Sequence, residues 1–133
     1  MPLSTVAIVP ALAVPSESDI ASVHFNGQSL SIEVAREPLE GGQFRGLRVT
    51  FQEVQGFRLL DESDLAQYWT APGFVRGHHV LLVASGGWSA EENLRQGYEV
   101  RRREWLVVTG NRCLNVFASE GPQIEEGAYD AEA

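Results

Sequence analysis

The stretch Gly77–Trp88, GHHVLLVASGGW, decides the fold of this 133-residue chain. Its apolar run is short, aliphatic and bounded by glycines, which is typical of a strand buried on both faces. A second run, WLVV at residues 105–108, has the same character. We therefore predict that residues 79–84 and 105–108 form the middle of a sheet.

Further strands extend this sheet on both sides along the chain. Residues 20–25 and 30–35 flank the dipeptide Asn26-Gly27, which is typical of a tight hairpin turn. Residues 30–35 and 47–52 alternate between apolar and polar side chains, as half-buried strands do. Residues 113–118 return after the second apolar run. Strands joined by turns in this way indicate antiparallel pairing.

Two short helices complete the predicted elements. Acidic residues crowd the start of residues 61–69, where the helix dipole favours them. Ser89 and Glu92 have the spacing of a capping box, which predicts a helix from Ser89 that stops at Gly97. The expected fold class is α+β, predominantly antiparallel β, with a curled sheet or partial barrel of five to seven strands and two short helices.

The length and the 44% hydrophobic content suit one domain with one core. Residues 1–18 contain three prolines and are predicted to form an extended N-terminal arm, with residues 6–9 as a candidate edge strand. Residues 19–119 are predicted to form the single globular domain. Residues 120–133 carry five acids and no base, which predicts an acidic, mobile tail.

The charge and the composition bear on the partners and the cellular compartment of the protein. Its formal net charge is −8, and all ten basic residues are arginine. This balance argues against nucleic-acid binding and is compatible with a basic protein partner. The single cysteine favours a reducing compartment, and neither a signal peptide nor a membrane span is recognisable. We expect a cytoplasmic protein with no membrane partner, and a homodimer is left open.

Catalytic and metal-binding patterns are weak in this sequence. His78 and His79 are neighbours on a predicted strand and should point to opposite faces, so they do not easily share a metal ion. Ser85 lacks the Gly-x-Ser-x-Gly context of a nucleophile elbow. Cys113 lies in an apolar stretch and is interpreted as a buried filler. The sequence favours a non-enzyme without a cofactor or a metal.

The arginine triplet 101–103 is a candidate anion or nucleic-acid patch. On a strand, its first and third members share one face and the second takes the other. Glu99 and Glu104 flank the triplet and can pair with it across strands. We therefore interpret these arginines as partners in ordinary surface salt bridges.

Two function classes remain. Trp88, on a glycine-rich turn, and Phe74, in a loop, are the best candidates for exposed aromatic anchors. They favour a small acidic protein-binding module, in its concrete version an inhibitor or immunity-type protein that neutralises a basic partner. The alternative is a small-molecule-binding or enzymatic domain with a pocket in the curled sheet near His78, His79 and Ser85.

Overall fold

The computed structural model describes residues 3–7 and 13–130. In these residues the chain forms nine strands, two α-helices and one 3₁₀ turn at Glu40–Gly42. The elements are β1 (Ser4–Ala7), β2 (Asp19–Phe25), β3 (Leu30–Pro38), β4 (Gln43–Phe51), β5 (Gly56–Leu60), α1 (Glu62–Trp69), β6 (Val80–Ser85), α2 (Trp88–Gln96), β7 (Glu104–Val108), β8 (Cys113–Phe117) and β9 (Gln123–Asp130). The predicted class, mostly antiparallel β with two short helices, is confirmed.

The strands form two sheets, and neither closes into a barrel. Sheet A has the strand order β1-β6-β7-β8-β5, and sheet B has the order β2-β3-β4-β9. Both contribute to one hydrophobic cluster, which includes Ile32 and Val49 from sheet B and Val107 and Leu114 from sheet A. Alternation in a strand shows that one face is buried but not what covers it. This is why the sequence suggested a single curled sheet.

The hairpin of β2 and β3 forms as predicted, with Leu30, Ile32 and Val34 fully buried. The connection has four residues, 26–29, rather than the two of a type I′ turn. The side-chain oxygen of Asn26 accepts hydrogen bonds from the backbone N–H groups of Gln28 and Ser29, at 2.9 and 2.8 Å. Asn26 therefore closes the turn with its own side chain.

Both ends of the described chain contribute edge strands. β1 pairs with β6, and of the candidate edge strand 6–9 only residues 6 and 7 lie within the described residues. β9 pairs with β4 along its whole length, so the prediction of a mobile tail is wrong for Gln123–Asp130. Ile124 packs against the main core, while Glu125 lies opposite Arg48. The strand was not recognised in the sequence because β9 is acidic and Ile124 is its one large aliphatic residue.

The middle of sheet A is covered on both faces: β7 is buried along its whole length, as predicted, whereas β6 is buried at Val80 and Leu81 and exposed at Ala84. One face packs on sheet B, and the outer face carries a second hydrophobic cluster beneath α1 and the loop after it. The buried members of this cluster are Leu3, Tyr68, Phe74, Leu81, Leu106, Val108 and Cys113. Towards α2 the outer face changes character, because its buried residues become polar.

Candidate functional site

Helix α2 is anchored by a buried carboxylate from a neighbouring strand. Glu104 of β7 is 2% exposed, and its oxygens accept hydrogen bonds from the backbone N–H groups of Trp88 and Ser89, at 2.9 and 2.8 Å. The helix begins at Trp88 with Gly87 at the N-cap, so the predicted capping box at Ser89 is wrong. A side chain at Gly87 would collide with the Glu104 carboxylate. The cap therefore comes from a residue distant in sequence.

Glu104 belongs to a set of hydrogen-bonded side chains that we call the polar network: Glu104, Asn115, Tyr68, Arg58 and Glu91. The Asn115 amide donates to Glu104 at 2.8 Å and to the Tyr68 hydroxyl at 3.2 Å. Arg58 donates to Asn115 at 3.1 Å, and to Tyr68 and Glu91 at 2.6 Å each. Burial raises the pKa of Tyr68 to about 12, so its hydroxyl stays neutral. The network connects α1, α2 and three strands.

The predicted aromatic anchors take part in this packing. The Trp88 ring stacks on Phe117 with 4.2 Å between ring centroids, and its indole N–H donates to Glu92. The Arg58 guanidinium lies 5.2 Å from the Trp88 ring centroid. Phe74 is only 8% exposed and belongs to the second cluster. The turn before α2 directs Trp88 back onto the sheet, so neither residue is the exposed anchor that the sequence predicts.

The two predicted binding histidines have different surroundings. His79 is fully buried, with Nδ1 2.7 Å from the Val108 carbonyl oxygen and Nε2 accepting from Arg36 at 3.2 Å. Because a carbonyl only accepts, Nδ1 carries the proton of a neutral imidazole. Burial lowers the pKa of His79 and keeps it in that form. Its two ring nitrogens are thus both occupied within the protein.

His78 lines a cavity of about 640 Å³ together with Trp69, Phe74 and Arg76. Its Nδ1 atom is buried without a hydrogen-bond partner, alone in this respect among the side chains of the described residues. Ser85, at the opposite end of β6, lines a different groove. The predicted convergence of His78, His79 and Ser85 in one pocket therefore does not occur.

The other groove is the larger one, with a volume of about 1200 Å³. It lies between α2, the end of β6 and the segment 97–103, and we call it the α2 groove. Three exposed large apolar residues line it: Leu94 is 87% exposed, Tyr98 65% and Val100 36%. Exposed apolar groups that share one concave surface are typical of binding sites.

Residues 98–103 form one wall of the groove, and the strand geometry expected for the arginine triplet 101–103 is wrong, since β7 begins only at Glu104. Gly97 ends α2 in the left-handed conformation, with φ 83°. Asn93 then fixes the segment, because its side chain accepts from the Val100 N–H at 3.0 Å and donates to the Val100 carbonyl at 3.4 Å. The predicted pairing of Glu104 with the arginines is also wrong, since Glu104 caps α2.

Sequence reasoning missed Leu94 as a surface residue. A signal was present, because Leu94 follows Trp88 by six positions and so lies about 120° around the helix from it. Trp88 marks the face of α2 that packs on sheet A, and an apolar residue away from that face points elsewhere. The structure bears this out, since no residue of α2 is buried and Leu94 is its most exposed large apolar side chain.

In the part of the chain that the structure describes, no group of three or more His, Cys, Asp or Glu side chains is arranged to hold a metal ion. Neither α1 nor α2 has the length and apolar character that a helix needs to cross a membrane. Comparison of the chain with protein-family models, with curated proteins and with solved structures gave no match.

Proposed function

We propose that this protein is a protein-binding module whose contact surface is the α2 groove. The observation that carries the proposal is the exposure of Leu94, Tyr98 and Val100 on one concave surface. Transfer of exposed leucine and tyrosine side chains from water to the surface of a partner lowers the free energy, so burial of these side chains favours binding. Tyrosine is also enriched among the residues that dominate binding energy at protein interfaces.

The net charge of −8 supports the inhibitor or immunity-type version of this proposal. A strongly acidic protein attracts a basic partner over long distances and accelerates their encounter. The edge strand β9 adds to this field, since Glu125, Glu126 and Asp130 are all exposed there. A cytoplasmic location remains a prediction that rests on the sequence.

Site-specific photo-crosslinking in a lysate of the source organism tests the proposal. A benzophenone side chain at position 94 or 98 should give a covalent adduct of one defined mass, whereas the same group at Thr50, on the exposed face of sheet B, should not. Equal labelling at all three positions, or at Thr50 alone, would show that the groove is not the contact surface.

Variants then measure the contribution of the anchors to affinity for the crosslinked partner. Leu94→Asp should weaken binding by more than tenfold, because it places a charge where an apolar contact is made. Leu94→Met keeps the apolar character and should remain within threefold of the original affinity. If Leu94→Asp binds as tightly as Leu94→Met, the groove does not carry the interaction.

A second candidate function is small-molecule binding in the cavity beside His78, which is favoured by the unpartnered Nδ1 atom of that residue. Arg76 and the aromatic rings of Trp69 and Phe74 suit a small aromatic carboxylate. A titration with benzoate and indole-3-carboxylate, followed by NMR, should shift the signals of His78 and Trp69 first. Unchanged spectra at millimolar concentrations would remove this candidate.

A further inference from the structure

We infer that the α2 groove binds an acidic segment of its partner, one that carries carboxylates beside at least one apolar side chain. This inference rests on the proposed function, because it names the chemistry that the same groove recognises. The groove would therefore bind negative charge, although the net negative charge of the protein attracts positive charge.

The first step is the charge of the groove lining, which has three arginines, Arg101, Arg102 and Arg103. Three glutamates also line the groove, but two of them already bind other groups of the protein. Glu91 is paired with Arg58 at 2.6 Å, and Glu104 is turned into the protein to cap α2. Glu99 is the remaining carboxylate of the lining, so the groove presents an excess of positive charge.

The second step is the availability of the guanidinium groups. Arg102 is held against the protein, since it donates to Asn93 at 3.2 Å and lies over the Phe117 ring. Arg103 donates one Nη to the Ser119 carbonyl at 3.2 Å, and both Arg101 and Arg103 are exposed. A guanidinium has five N–H donors and matches a carboxylate in a two-bond geometry. These two arginines retain donors for an incoming acid.

The third step is that the apolar and basic parts of the groove are fixed relative to each other. Asn93 binds both backbone groups of Val100 and also accepts from Arg102. One side chain of α2 therefore holds the segment that presents Val100 and the arginines beside Leu94. A site ordered before binding loses less conformational entropy when the partner arrives.

The net charge of −8 does not contradict this local preference. Charges beyond about 8 Å are largely screened at physiological ionic strength, so the arginines dominate once a segment lies in the groove. The acidic surface outside the groove favours a partner whose remaining contact surface is basic. The two effects together select a basic protein that displays one acidic, partly apolar segment.

Selection of linear peptides from a random display library on the immobilised full chain tests this inference. We expect the enriched peptides to carry Asp or Glu next to Leu, Phe or Trp. A synthetic copy of the best peptide should lose at least tenfold in affinity when its acids become Asn and Gln. It should lose a similar amount on the double variant R101E and R103E, and less than twofold on the control R45E, which alters an arginine of sheet B.

The remaining outcomes separate the inference from the proposed function. Peptides that are neutral or rich in Lys and Arg, yet lose binding to Leu94→Asp, would overturn the acidic preference and leave the groove as the contact surface. Affinity unchanged by R101E and R103E would overturn it as well. A library without enriched peptides would also count against a segment-binding groove, and crosslinking at position 94 would then decide the proposed function independently.

Discussion

The outer face of sheet A has two halves that are built from the same strands and stabilised in different ways. Along β7 the outward side chains are Glu104, Leu106 and Val108, and along β8 they are Cys113, Asn115 and Phe117. The apolar half, around Leu106, Val108 and Cys113, lies beneath α1 and Phe74. The polar half, around Glu104 and Asn115, lies beneath α2.

The difference shows that burial alone does not position a helix. In the apolar half each buried side chain contributes roughly 1.5–3 kcal/mol by leaving water, and many arrangements would bury similar areas. In the polar half the N–H groups at the start of α2 donate directional hydrogen bonds to Glu104, and Asn115 holds that carboxylate in place, so these bonds fix where α2 begins. The α2 groove depends on that placement, because α2 forms one of its walls.

The largest expected effect comes from removing the carboxylate of the polar half. Glu104→Ala leaves the backbone N–H groups of Trp88 and Ser89 without their side-chain acceptor and removes one of the two acceptors of the Asn115 amide, which should cost about 3 kcal/mol or more of unfolding free energy. Glu104→Gln keeps one acceptor oxygen and should lose less. Urea denaturation measures both, and a Glu104→Ala protein within 1 kcal/mol of the original would refute this account of the polar half.

In the apolar half we expect the stability to fall when a polar group is added, whereas in the polar half it should fall when one is removed. Cys113 is fully buried, and burial raises the pKa of its thiol to about 12. Cys113→Ser buries a hydroxyl in nearly the same volume and should cost about 1–3 kcal/mol. Cys113→Ala removes the sulfur without adding polarity and serves as the control. Thermal unfolding should rank the serine variant below the alanine variant, and the reverse order would contradict the comparison.

A pH titration tests the neutral imidazole that bonds to Val108 of the apolar half. Since burial lowers the pKa of His79 in the folded protein, the unfolded chain takes up its proton first, from its ordinary pKa of 6.5. Stability should therefore be complete above pH 6.5 and fall as the pH decreases below it. His79→Asn can keep a donor for the Val108 carbonyl without titrating. Its unfolding free energy should depend less on pH between 5 and 8, and parallel curves would refute the assignment.

The smallest expected effect on stability belongs to the groove. Leu94 is 87% exposed, so Leu94→Asp should change the free energy of unfolding by no more than about 0.5 kcal/mol, as is usual for surface substitutions. Urea denaturation of this variant, alongside Leu94→Met, measures the change. A loss above 1 kcal/mol would mean that Leu94 supports the fold, and the binding data for Leu94→Asp would then need a different explanation.

The strands were the most predictable part of this protein. Alternation in residues 30–35 and 47–52 and the apolar runs in β6 and β7 record directly which faces are buried, because that pattern is local. The candidate site was less predictable. Trp88 was predicted to be an exposed anchor, because nothing in the neighbouring sequence shows that Phe117 lies against its ring.

The sequence by itself determined the fold class, the hairpin of β2 and β3, the position of α1 and the central place of β6 and β7. Each of these depends on side-chain periodicity or turn chemistry within a few residues. Only the tertiary structure decided that Glu104 caps α2, that β9 completes sheet B and that Leu94, Tyr98 and the arginines share a groove. Glu104 and the start of α2 are distant along the chain, as are β9 and β4, so no local pattern pairs them. Residues 94–103 are close in sequence, and they form a groove because α2 ends at Gly97 and the Asn93 side chain holds Val100.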